Sequence, residues 1–325
     1  MTEIGPVCDL SLPDFVVAVA WRPDGEKLAA ACADGSVHEL SPDGGPVEIL
    51  REHDGGVCAL AYSSAGTLAS GGEDGKLAIG VLPPRPAGAG WIEQLAWRPP
   101  GDLLATAVGR RVQFWTAEGA ILAESSQLPA TVECLAWTPD ATTVVAGGHG
   151  GLSFVDIDGN EARPRVEWTG VVIALEFAAD GRLACGMQDH AIWLWHLADD
   201  RAATLGGYAR KVRELSWNRE GTVLATGGGS VPVCWRLPAG ELEATGQAEL
   251  TGHTKPVTWV GFQPGGTHLA TAAEDGLAIV WAPPHERPIS GATLEQPIAT
   301  AAWSPDGARL ALGGRDGRLA VFSVG

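Results

Sequence analysis

The chain has 325 residues, is 45% hydrophobic and 19% charged, and carries a net charge of −17. That is a globular rather than a disordered balance, and no stretch reaches the roughly eighteen apolar residues of a membrane-spanning helix. The acid surplus would be repelled by phosphate backbones, so nucleic-acid and anionic-membrane partners are disfavoured.

No basic-then-apolar leader opens the sequence, and none of the six cysteines forms a CxxC pair. Both features point to reduced, buried thiols in a cytoplasmic protein. The Ala, Gly and Arg content reads as the imprint of a GC-rich bacterial genome.

In chain order, residues 4–12 ("IGPVCDLSL") read as a lone strand. From Val16 one pattern then repeats eight times, with copies starting near residues 16, 57, 92, 132, 172, 212, 257 and 298. Each copy holds an aromatic anchor: Trp21, Tyr62, Trp97, Trp137, Phe177, Trp217, Phe262 and Trp303, spaced 35–45 residues apart.

An apolar run ends at each anchor, and a Pro-Asp-Gly type reverse turn follows. A second apolar run comes next, such as "LAAAC" or "LATAA". A second turn then closes a hairpin, often with Asp-Gly, as at Asp34-Gly35, Asp74-Gly75, Asp275-Gly276 and Asp316-Gly317. A third alternating run ("LAIVW") and a short fourth ("PVEIL") complete the copy. In copy two the fourth run has only "PPRPAGAG" to use, so it is predicted short or missing. No window shows a helical period.

A period of about forty residues with four short strands is that of a propeller blade. The pattern resembles the WD40 (β-transducin) repeat family over essentially the whole chain. It implies an all-β fold: one closed WD40-type propeller domain over residues 1–325, of eight blades, with seven as the alternative. Residues 4–12 are expected to close the last blade, because that pairs an otherwise open edge.

The resemblance also implies a buried hydrogen-bonded tetrad in each blade: His before the first strand, Ser or Thr in the second, Asp in the turn, Trp in the third. Copy seven has all four: His253, Thr271, Asp275 and Trp281. Copy two has His53, Ser70 and Asp74, with Gly80 at the Trp position. Copy five has Asp189 and Trp195, but Trp168 at the His position and Cys185 for Ser/Thr. Copies three and six keep Thr106 with Trp115 and Thr226 with Trp235, on shorter hairpins without Asp. The remaining copies are more degenerate, and the Trp-Asp dipeptide never occurs.

No catalytic or nucleotide-binding motif is present. "GGHGG" (147–151) reads as a hairpin turn rather than a phosphate loop, since no helix follows. His149, Asp189 and His190 are the alternative metal set, although turn histidines are usually solvated. No cofactor is expected.

The reading is a non-catalytic scaffold, monomeric on its own, that binds a protein or peptide on its top face. The candidate residues there are Trp91, Glu93, Arg110, Arg111, Glu133, Lys211, Arg213, Lys255 and Trp259. The alternative is a small-molecule or metal site at the channel mouth, built on Glu93 and Glu133.

Overall fold

The computed structural model describes residues 2–283 and 287–324, and every regular element among them is a strand. Thirty-one strands form seven hydrogen-bonded sheets among these residues. The chain divides into two compact units. Residues 11–172 carry copies one to four. Residues 1–10 with 173–325 carry copies five to eight.

Copy seven shows how sequence becomes sheet. Its strands Val257–Phe262, Leu269–Ala273, Leu277–Trp281 and Pro288–Thr293 pair antiparallel in chain order. Side chains alternate between the faces of a strand, and here both faces are covered. Leu269, Ile279 and Trp281 pack with Ala225 and Cys234 of copy six. Ala270, Ala272, Ala278 and Val280 pack with Ile298, Trp303 and Leu310 of copy eight. Burial on both faces explains why the run "LATAA" does not alternate with exposed polar residues; its one hydroxyl, Thr271, is buried as well. Its alanines leave room for close sheet-to-sheet approach.

The Asp-Gly turns form as expected. In copies one, two, seven and eight the Asp side chain accepts the amide two residues on, at 3.0–3.1 Å. The following glycine has positive φ, for example 82° at Gly276, where a Cβ would also meet the Leu294 carbonyl at 2.2 Å. Only glycine satisfies both conditions.

A recurrent β-bulge falls at the second residue of the first strand: Val17, Cys58, Glu133, Thr258 and Ala299 each sit where the register slips.

Three places depart from a plain four-strand pattern. Copy two ends in the two-residue strand Arg85–Pro86, short because prolines interrupt its ladder. In copy four, Thr143–Asp156 is continuous through "GGHGG", with Gly150 and Gly151 at positive φ. The next strand, Glu161–Phe177, serves as the outer strand of copy four and runs on as the first strand of copy five. No tight-turn signal separates those two roles in "EARPRVEWTGVVIALEF".

At the N-terminus, Pro6–Ser11 lies at the edge of the sheet formed by Ile298–Trp303, Arg309–Gly314 and Arg318–Ser323. Arg318 donates to both carboxylate oxygens of Asp9 at 2.9 and 2.6 Å across that edge. Thr2–Glu3 adds in parallel to Pro288–Thr293.

Candidate functional site

The residues that look most like chemistry are consumed by the scaffold. In copy seven the indole of Trp281 donates to Thr271 Oγ1 at 2.9 Å, and Thr271 lies 2.8 Å from His253 Nε2. His253 Nδ1 lies 3.3 Å from both carboxylate oxygens of Asp275. The proton order follows. Thr271 accepts from the indole and donates to Nε2, so Nδ1 carries the hydrogen and donates to Asp275. Burial lowers the pKa of His253, against the pull of Asp275, which keeps the imidazole neutral. Burial raises the Asp275 carboxyl, but the amides of Thr254 and Leu277 and the histidine outweigh it, and its pKa is lowered.

Copy two repeats this without the indole. His53 lies 2.9 Å from Ser70 and 3.1 Å from Asp74, and Gly80 turns the chain with φ 56°. In copy three the Trp115 indole donates to Thr106 at 3.1 Å.

Copy six holds a network that motif matching missed. Tyr208 stands nine residues before its anchor Trp217, the same offset as His53 to Tyr62 and His253 to Phe262. The Trp235 indole donates to the Tyr208 hydroxyl at 2.6 Å. That hydroxyl lies 2.9 Å from Thr226 Oγ1, which donates to the Val233 carbonyl at 3.1 Å. A phenol thus replaces the imidazole–carboxylate pair. The constant offset was the signal that could have found it. Burial raises the Tyr208 hydroxyl to about 12, so it stays protonated and can donate.

The aromatic anchors have a second task. The indoles of Trp97, Trp137, Trp217 and Trp303 each donate to a carbonyl of the preceding copy: Ala61, Ala96, Glu176 and Gly261, at 2.8–3.3 Å. Glu176 also accepts the Trp217 amide at 3.0 Å, and its burial pushes the carboxyl up to about 8, so it is held as the neutral acid. Arg182 is fully buried over the Trp217 ring and donates to the carbonyls of Pro238 and Glu241, at 3.0 and 2.7 Å, and to that of Gly221. These groups hold neighbouring copies together.

The candidate surface residues separate by fate. In the unit of residues 11–172, Trp91 is 54% exposed and Glu93 is exposed, while Glu133 is half-buried in its bulge. Arg110 Nε is spent on the Leu128 carbonyl at 2.7 Å, and Arg111 is paired with Glu124. In the other unit Lys211, Arg213 and Lys255 are exposed. Trp259 is not a free surface group: it packs on the copy seven–eight core, across Gly261, where a Cβ would come within 2.3 Å of its ring.

Among the described residues no group of three or more His, Cys, Asp or Glu is arranged to hold a metal ion, so His149, Asp189 and His190 form no ligand set. His149 instead lines an open polar cleft of about 470 Å³ with Arg165, Glu167 and Trp168. Glu93 and Glu133 keep equivalent places in their copies; burial raises the Cys58 thiol to about 11, with the negative charges of Glu73 and then Glu93 pushing the same way.

The WD40 family pattern, described as "WD domain, G-beta repeat", matches residues 7–38, 44–79, 245–282 and 289–323. The chain is 26% identical to mouse "Telomerase protein component 1" over 83% of its length and 11% of that protein's. It is 27% identical to human "WD repeat-containing protein 90" over 71% of its length and 17% of that protein's. The chain thus spans a small fraction of these curated relatives. Among solved structures it is similar to Sqt1 of Chaetomium thermophilum bound to the N-terminus of ribosomal protein L10. That similarity has a TM-score of 0.84 at 16% identity, over 99% of this chain and 100% of the other.

Proposed function

Because the chain belongs to the WD40 repeat family and has its all-β propeller fold, we propose that it is a non-catalytic scaffold for protein–protein interaction. The observation that carries this is the division of labour among its polar residues. The His, Thr, Ser and Asp side chains that could do chemistry are tied into buried networks within single copies. Large and charged side chains on the loops, such as Trp91, Lys211, Arg213 and Lys255, stand exposed. A stiff sheet framework with variable loops suits docking. The Sqt1 relative, whose solved complex holds a peptide from another protein, offers a parallel.

The finer reading has one domain over residues 1–325 and eight blades, counted from the eight sequence copies, with Pro6–Ser11 completing the last. It is a monomer in the cytoplasm. It docks a protein or peptide, rather than nucleic acid or membrane, on the face formed by the loops leading into each first strand and the hairpins between second and third strands.

Capture of binding proteins by the purified chain, repeated with the Trp91→Ala/Arg213→Ala double variant, tests this reading. Loss of capture with retained circular dichroism is the expected result. Unchanged capture rejects the face. Stoichiometric bound metal that is lost on Glu93→Gln or His149→Ala rejects the scaffold reading.

A further inference from the structure

Copy six lacks the turn carboxylate that copies two and seven possess, and this changes the charge above it. In copy two Asp74 accepts the Asp54 amide, and Lys76 sits 2.6 Å from Asp54 and 3.8 Å from Asp74. In copy seven Asp275 accepts the Thr254 amide at 2.7 Å. In copy six the turn is Gly227–Gly229 and Ser230, with no acidic side chain of its own.

Two cationic loops are fastened to either side of that turn. The Arg210 amide donates to Gly228 at 3.0 Å, and the Val257 amide donates to Gly229 at 2.9 Å. Arg210, Lys211 and Arg213 on one side and Lys255 on the other are therefore brought around a single glycine floor. All four are exposed, and among the described residues none of them is in an ion pair.

Three of the nearby acids are already engaged, and one of them, Glu214, also interacts electrostatically with Arg213. Glu214 lies beneath the turn, with its backbone carbonyl accepting the Gly227 amide at 2.9 Å and its carboxyl accepting that of Gly228 at 3.4 Å. Asp275 is held by His253 and Thr254, and Glu274 is paired with Arg315.

The first loop is also held rigid. The Tyr208 hydroxyl is locked between Trp235 and Thr226, and Val212 is buried with its amide on the Met187 carbonyl at 3.2 Å. Cations on a pinned loop lose little entropy when a ligand arrives. A local excess of positive charge on a chain of net charge −17 selects for negative partners that are compact enough to reach it.

We infer that the copy-six turn and its flanking loops form a docking site for an acidic peptide segment of a partner protein, held by Arg210, Lys211, Arg213 and Lys255. This rests on the scaffold reading and names its partner's chemistry. A peptide is favoured over nucleic acid because a long polyanion would also meet the acidic remainder of the chain.

The test uses the full chain and a fluorescein-labelled twelve-residue peptide alternating glutamate with serine, read by anisotropy. The expected result is saturable binding, weakened at least tenfold both in Arg210→Glu/Lys211→Glu/Arg213→Glu and by 0.5 M salt. Arg219→Glu, an exposed charge reversal just past the other end of the same first strand, should leave it unchanged, and all variants should melt as wild type. Binding that is absent, or equal in the triple variant, overturns the site. So does an equally charged single-stranded RNA that binds more tightly than the peptide, which would make it a nucleic-acid site. Protein capture runs in parallel. Partners captured equally by wild type and triple variant leave the scaffold reading standing and reject this site, whereas no capture by wild type rejects the scaffold reading itself.

Discussion

Copies six and seven build the same joint in two ways. Both place a threonine in the second strand and a tryptophan in the third, and both call on the residue nine before the anchor. Copy seven reaches a neutral histidine and a carboxylate; copy six interposes a phenol and needs no acid. The requirement is therefore a closed chain of donors and acceptors, not a particular set of side chains. A buried hydroxyl or indole left unpaired costs more than the pair contributes. The substitution also changes the surface: the copy-six turn has no acidic side chain of its own, and Arg210, Lys211, Arg213 and Lys255 stand exposed on the loops beside it.

The sharpest contrast is in the third-strand tryptophans. Trp281 is fully buried and Trp235 only half-buried. Trp281→Ala should lower unfolding free energy by about 3–5 kcal/mol, and Trp235→Ala by clearly less, in urea titrations monitored by circular dichroism. Equal losses would mean that the two joints do the same packing work.

The next effect is pH-dependent. The buried Glu176 that accepts the copy-six anchor amide has its pKa raised from 4.5 to about 8. Between those values the unfolded chain releases the proton and the folded chain keeps it, so stability should fall as pH rises from 4.5 to 8. Glu176→Gln should remove that slope, worth on the order of a few kcal/mol. An unchanged slope in chemical denaturation at pH 5, 6.5 and 8 would show that the carboxyl is ionised in the fold.

His253 works in the opposite direction. Its pKa is lowered below 6.5, so the unfolded chain takes up the proton first and stability should fall as pH drops below 6.5. His253→Ala should cost about 1–3 kcal/mol at pH 7.5 by taking the acceptor of the Thr271 hydroxyl and one of the donors to Asp275, and it should shed part of the acid sensitivity. Loss of partner capture with unchanged stability would instead place the histidine in a binding site.

The smallest change is Tyr208→Phe. It removes one hydroxyl while Thr226 keeps its bond to Val233, so about 0.5–1.5 kcal/mol should be lost, with no new pH dependence. A loss as large as that of His253→Ala would show that copy six has no reserve.

Much of the fold was legible in the chain. The eight-fold period, the four-strand pattern and the short end of copy two all follow from local signals. So does the full tetrad of copy seven, because its four positions are set by offsets within one repeat. The candidate surface was less legible. Arg110 and Arg111 look like loop cations, yet a carbonyl and Glu124 claim them; Trp259 looks like a hot spot, yet it roofs Gly261. Nothing local marks which loop side chain will find a partner in its own copy.

Turn positions, strand periods and repeat length are properties of the sequence, since Asp-Gly turns and alternating apolar runs act over a few residues. The links between copies are not. The indole of Trp217 meets a carbonyl 41 residues earlier, Arg182 caps carbonyls up to 59 residues away, and Arg210 and Lys255 flank one turn although 45 residues apart. Such contacts exist only once the sheets have stacked, because a hydrogen-bond partner is chosen by distance in space and leaves no period in the chain.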